Sequence, residues 1–300
     1  MAVILLLGFA PLGCREYTDL TPRHPPPTAK YPATVADPLP PGTVRGRVVW
    51  EGERPVVPPV TGLIASPDGA RWGEVMNPFA PRIDADGGVA DVVVWLTPVE
   101  AKQVKPWPYP PLVVEHAGRT LRVKQTGSSG RVGFVRVGDE VELVTRSEWL
   151  PFVALAGGLG HAPENRFQLL RGRGAAFFTL TFPEPDQPRR RELDSPGVVE
   201  LTSAAGDFWN TVDVVVCEHP YYAATDATGR FELSNVPPGE YRLTARVRNW
   251  TITGRDRDPE TGKTVRLTFA EPVLVTENVV APTIDQVKLP VTAGQIQGRR

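Results

Sequence analysis

The alternation of apolar and polar positions is sharpest between Asp213 and Val247. Asp213 to Cys217 is a β-branched run that suits a buried, pleated strand, and Asp226 to Gly229 is a tight turn in which glycine supplies a positive φ. Phe231 and Leu233 flank Glu232, the spacing of a half-buried strand. Pro237, Pro238 and Gly239 mark the next turn, with Gly239 also expected at positive φ. Beyond it Tyr241, Leu243, Ala245 and Val247 fall on one face and Arg242, Thr244 and Arg246 on the other. Upstream, Thr43 to Gly52 alternates apolar residues with Arg45 and Arg47 until Gly52 breaks the run. Asp84 to Gly88 predicts a turn, followed by a strand over Val92 to Leu96. No long helical period occurs, and 33 prolines with 28 glycines fit many short strands joined by tight turns, so the predicted class is all-β.

These residues also carry a family resemblance. The segment TDATGRFELSNVPPGEYRL, with the opening strand near Val44 and the later DVVVWL strand, resembles the carboxypeptidase regulatory-like module, a small secreted β-sandwich. Between its halves, Val123 to Gln125 and Gly133 to Val144, continued by Phe167 to Phe182 and Val198 to Trp209, resemble the secreted bacterial cupredoxin-like family. The resemblances imply a regulatory-like (prealbumin/Ig-like) β-sandwich, residues 43–100 and 213–290, interrupted by a cupredoxin-like β-sandwich over 101–212, with 291–300 as a tail. Three hundred residues, 41% of them hydrophobic, suffice for about two such cores.

Charge narrows the partners. With 33 basic and 34 acidic residues the formal net charge is -1, so no broad field draws nucleic acid, and Arg189 to Arg191 is expected in a solvated loop. The two cysteines, Cys14 and Cys217, have such different contexts that no disulfide is predicted. Ala2 to Ala10 is an apolar run too short to span a bilayer; ending in Pro11 to Cys14, it resembles a secretory segment closed by a lipoprotein processing site, which implies residues 1–14 as signal and lipidation at Cys14. An ordinary signal peptide or a misplaced start codon is the alternative. Eight prolines in the 22 residues from Thr21 to Gly42 make 15–42 an extended tether.

The chemistry-bearing residues are few. A blue-copper site needs two histidines, a cysteine thiolate and usually an axial methionine. The family's histidine positions hold Pro151 and a residue near Ala154, and Asp207 and Asn210 stand at its later His and Met positions, so the resemblance implies a scaffold without its metal and no cofactor. Cys217 and His219, two apart on a predicted strand, share a face that two metal ligands could use; the competing reading is a buried thiol and a strand-end imidazole. His161 and Glu164 spell HxxE, but in a predicted loop after Gly157 to Gly160. Thr261 to Thr264 reads as a hairpin turn rather than a phosphate loop, and Asp84, Asp86, Asp256 and Asp258 as solvated turns rather than calcium loops. Trp107 and Tyr109, set among Pro106, Pro108, Pro110 and Pro111, form a candidate platform for a sugar or peptide, whereas Trp50, Trp95 and Trp209 suit a core. No nucleophile elbow or Ser-His-Asp order appears, and no enzyme is expected. The expectation is a non-catalytic structural or binding module of the cell envelope, exported to periplasm or cell surface and lipid-anchored in the membrane, with a carbohydrate or protein partner. A copper-binding electron-transfer cupredoxin is the alternative.

Overall fold

The computed structural model describes residues 42–297 except 67–68, 100–104, 118–119, 127–129, 147–152, 163–166, 170–177, 183, 204–208 and 258–263. The described chain is nearly all strand. In order these are β1 (Gly42–Glu51), β2 (Val60–Ser66), β3 (Gly69–Val75), β4 (Val93–Thr97), β5 (Leu112–Ala117), β6 (Thr120–Lys124), β7 (Val132–Arg136), β8 (Glu140–Thr145), β9 (Val153–Ala162), β10 (Phe167–Leu169) and β11 (Phe178–Phe182). There follow β12 (Arg189–Glu192), β13 (Gly197–Ser203), β14 (Thr211–Cys217), β15 (Tyr222–Ala224), β16 (Arg230–Val236), β17 (Gly239–Val247), β18 (Ile252–Arg257), β19 (Thr264–Phe269), β20 (Val273–Ala281), β21 (Thr283–Thr292) and a single helical turn and a half, α1 (Ala293–Gln297).

Four sheets stack in layers. The first has strand order β16-β1-β21 and the second β15-β4-β17-β20; the third runs β10-β9-β13-β14-β7, with β11 also on β9, and the fourth β12-β8-β5-β6. Val44, Val48 and Trp50 of the first layer pack on Val94, Leu96, Leu243 and Ala245 of the second. Val93, Trp95 and Tyr222 on the second layer's other face meet Val132, Phe134, Val215 and Cys217 of the third. Val212, Val214 and Val216 then close on Leu112, Val114, Val141 and Leu143 of the fourth. Burial follows the layer order. β1 and β5, in outer layers, bury alternate residues, whereas Val93 to Leu96 of β4 and all seven residues of β14 are buried because both of their faces are covered. Each fully buried Val or Leu contributes about 1.5–3 kcal/mol relative to exposure.

β14 stands in a different sheet from the one its sequence suggested. The segment from Asp213 was expected to begin the second half of the first sandwich, but β14 pairs antiparallel with β13 and parallel with β7, so the third and fourth sheets take their strands from Leu112 to Cys217. The physical reason is that a continuous Val run signals cover on both faces and carries no mark of which neighbours it pairs with. Gly157 to Gly160, expected in a loop, belong to β9 and pair with β13. Arg189 to Arg191 form β12 at a sheet edge, where charged side chains block further pairing, and Arg190 bonds Glu142 at 3.0 Å.

The turns are specific. Gly229 has φ +76°, and a Cβ there would sit 2.5 Å from the Val48 carbonyl oxygen. Asp226 closes this turn, its Oδ1 accepting from the Thr228 and Arg230 N–H groups. Gly239, by contrast, lies outside the left-handed region and simply opens β17; the positive φ near this turn belongs to Asn235 of β16, at +56°. The amide of Gln125 seals the outer edge of β7 by exchanging both hydrogen bonds with the Phe134 backbone, each 2.8 Å. To one side, the hairpins β2–β3 and β18–β19 share a small cluster in which Trp209 lies flat on Gly62, 2.7 Å from where a Cβ would stand.

Candidate functional site

The junction between the second and third layers contains a buried ionic triad. Asp213 is the third residue of β14 and lies against β17, whose Arg246 approaches it through Nη1 at 3.2 Å. Arg248 grips the same carboxylate twice, Nε donating to Oδ2 at 2.9 Å and Nη2 lying 2.7 Å from Oδ1. Burial alone would raise the Asp213 carboxyl, but the two guanidinium groups overcome it and hold the group below the usual carboxylate range. Around it Arg248 stacks on Phe79 at 4.7 Å and Arg131 donates to the Pro78 carbonyl at 3.0 Å. Asp91, which heads the earlier DVVV run as Asp213 heads the later one, is paired with Arg82 at 2.5 Å. Two guanidinium groups share one carboxylate, and this pairing ties β17 and the residue after it to β14 across the two layers.

Cys217 and His219 lie beside the same junction. Cys217 ends β14 with its thiol in the interlayer cluster, donating to the Val215 carbonyl at 3.4 Å, and burial raises its pKa well above the ordinary thiol value. His219 is beyond the strand end, so the shared-face argument does not apply to it. Its Nδ1 accepts from the Tyr221 N–H at 3.3 Å, its ring lies 4.7 Å from that of Tyr222, and burial lowers its pKa to about 3. Among the described residues no group of three His, Cys, Asp or Glu side chains is placed to hold a metal ion.

Other sequence candidates are dispersed. Asn210 accepts from the Leu121 N–H at 2.9 Å and ties the β13–β14 connection to β6. Asp84 is engaged by Arg47 at 2.9 Å and by the Gly88 N–H. His161 falls on β9 and Ala154 on the same strand, while Cys14, Pro151, Glu164, Asp207, Asp258 and residues 261–263 lie outside the described residues. Trp107 and Tyr109 face inward: they meet edge to face at 5.3 Å, Tyr109 stacks on Phe134 at 4.8 Å, and its hydroxyl donates to the Tyr222 carbonyl.

Tyr109 also borders a cleft of about 1180 Å³ between the outer face of the first sheet and the loop ahead of β5. Its walls hold Arg45, Arg47, Lys105, Arg230 and Lys288 against Asp226, Glu232 and Asp285. Arg45 is spent on Glu232 and Asp285, Arg47 on Asp84, and Lys288 on Glu51. Lys105 is different. Its Nζ donates to the Ser234 carbonyl at 2.6 Å and lies over the Tyr221 ring at 5.1 Å, and burial lowers its pKa to about 8. Nothing in the sequence signalled this lysine; a Lys beside a proline-rich loop reads as solvated.

No protein-family model matches the chain, and no curated protein matches it.

Proposed function

We propose that this protein is a non-catalytic binding module of the cell envelope, exported and lipid-anchored through Cys14, in which a regulatory-like sandwich carries a cupredoxin-like sandwich as an insert. The observation that carries the reading is the contrast between its buried and open polar groups. Cys217 and His219, the groups with reactive potential, are locked neutral at the interlayer junction, whereas the charged cleft beside β16 is open to solvent. A rigid stack with an accessible polar cleft suits recognition.

Two measurements test it. Mass spectrometry of the native N-terminus should find a diacylglyceryl adduct on Cys14; an unmodified Cys14, or a mature chain that lacks it, would remove the anchor. The rival copper reading is separated by adding Cu(II) to purified protein from residue 22 onward. The solution should stay without intense thiolate-to-copper absorption, and a blue colour lost in Cys217→Ala would replace binding by electron transfer.

A further inference from the structure

We propose that the open edge of β20 is a docking site for an extended segment of another protein, which adds a strand to the second sheet and sets a lysine or arginine opposite Glu277. The site is a different surface from the cleft and goes beyond the reading given to it. A sheet edge presents a row of unpaired N–H and C=O groups, and stable folds blunt such rows with charge, proline, bulges or side-chain caps. The other edges of the four stacked sheets follow that rule. On β16 the Arg230 carbonyl accepts from the Asp226 N–H and the Ser234 carbonyl from Lys105. On β21 Pro290 has no N–H to offer, and Gln286, at φ +69°, stands in a bulge. Gln125 seals β7, three arginines line β12, and Arg122 and Lys124 charge the short β6. β10 and β15 span three residues each and β11 five.

β20 uses none of these devices. It is nine residues long with no proline and no cation, and it pairs with β17 alone, in unbroken register from Val273 opposite Val247 to Ala281 opposite Gly239. Among the described residues no loop backbone bonds to it. Alternate N–H and C=O groups of β20 therefore face the open side, ready to continue the ladder.

The side chains along the edge describe the occupant. Glu277 is exposed and makes no ion pair among the described residues, so its carboxylate is available to a cation on a new strand. Val280, three residues on and hence on the opposite face, is 64% exposed. It lies in a groove of about 500 Å³ with Thr97, Pro98 and Asn278, whose two charged residues, Glu240 and Arg242, cancel. An incoming strand thus meets a negative charge on one face and an uncovered apolar side chain on the other. Main-chain bonds would supply its affinity, and these two positions its specificity. A second copy of this chain fits less well. Two-fold antiparallel pairing of β20 with itself sets Glu277 opposite or diagonal to its own copy in the registers that keep most of the strand paired, and like charges so placed are unfavourable.

The test titrates the full chain with a blocked peptide that matches β20 in length, alternates threonine with valine and carries lysine in place of the central threonine. Fluorescence anisotropy reads the affinity, and amide hydrogen exchange reads the place. The peptide should bind and slow exchange in β20. Glutamate in place of its lysine should weaken binding at least about fivefold, and a version methylated on every backbone nitrogen should not bind. Glu277→Gln should weaken binding of the lysine peptide and bring the two peptides closer in affinity. Val280→Lys, at an exposed position, should weaken it at least about threefold without changing the melting temperature. No binding of the lysine peptide, equal binding of the methylated one, or protection of a strand other than β20 overturns the proposal. A dimer in sedimentation whose β20 amides are already protected overturns the foreign occupant in favour of a second copy. The wider reading fails separately, on the blue copper spectrum.

Discussion

Asp213 stands between two arginines and Arg45 between two carboxylates, so each triad sets one charge against a pair of the opposite sign. Their surroundings differ. The Asp213 side chain is 2% exposed and its partners 12%, whereas Arg45 is 50% exposed and its partners 52% and 57%. Water and salt screen the outer triad; the inner one has been stripped of both, so each of its charges depends on the others. Matching hydrogen-bond geometry therefore carries different weight at the two sites, and only the inner triad can fasten the sandwiches together.

The largest expected effect breaks the inner triad. Asp213→Ala leaves two buried guanidinium groups without their anion and should lower the unfolding free energy by about 3–5 kcal/mol, read from denaturant titration. Loss well under 1 kcal/mol would mean that the junction is wetter than the structure places it.

A smaller effect comes from pH, and His219 sharpens the contrast between charged and neutral solutions to burial. Its folded pKa of about 3 lies below the ordinary 6.5, so the unfolded chain takes up a proton in that interval while the folded one does not. Stability should therefore be fully present above about pH 6.5 and fall on acidification at roughly 1.4 kcal/mol per pH unit. His219→Phe should flatten that slope. Asp213, whose folded pKa is also depressed, adds a further loss only near and below the carboxylate range.

The smallest effect belongs to the outer triad. Glu232→Gln should leave the unfolding midpoint where the wild type has it, at low and high salt alike. A clear loss would show that exposed geometry matters more here than screening allows.

How much of this was legible depends on which residues carry a side-chain signal. The alternating outer-layer strands β1 and β16 and the Gly229 turn could be read directly, because alternation marks an outer layer and Asp226 fixes the turn by its own hydrogen bonds. The runs at Val93 and Val214 read as buried strands, yet nothing in a valine says which sheet it joins, and β14 finds its parallel partner β7 some 80 residues earlier (213 − 132 = 81). Gly157 to Gly160 looked like a loop because glycine shows no facing preference. The triad was invisible for a simpler reason: Asp213 and Arg246 are 33 residues apart, and Arg246 falls on the strand face that reads as solvent-exposed until a second sandwich covers it. In the cleft, Tyr109 could be singled out by its aromatic ring, but Lys105 acquires its role only from the Ser234 carbonyl opposite.

A buried junction of this kind should make the layers one cooperative unit. Differential scanning calorimetry of the full chain should show one transition whose calorimetric and van't Hoff enthalpies agree, and Asp213→Ala should split it in two. Two separate transitions in the wild type, with Asp213→Ala changing neither, would contradict it.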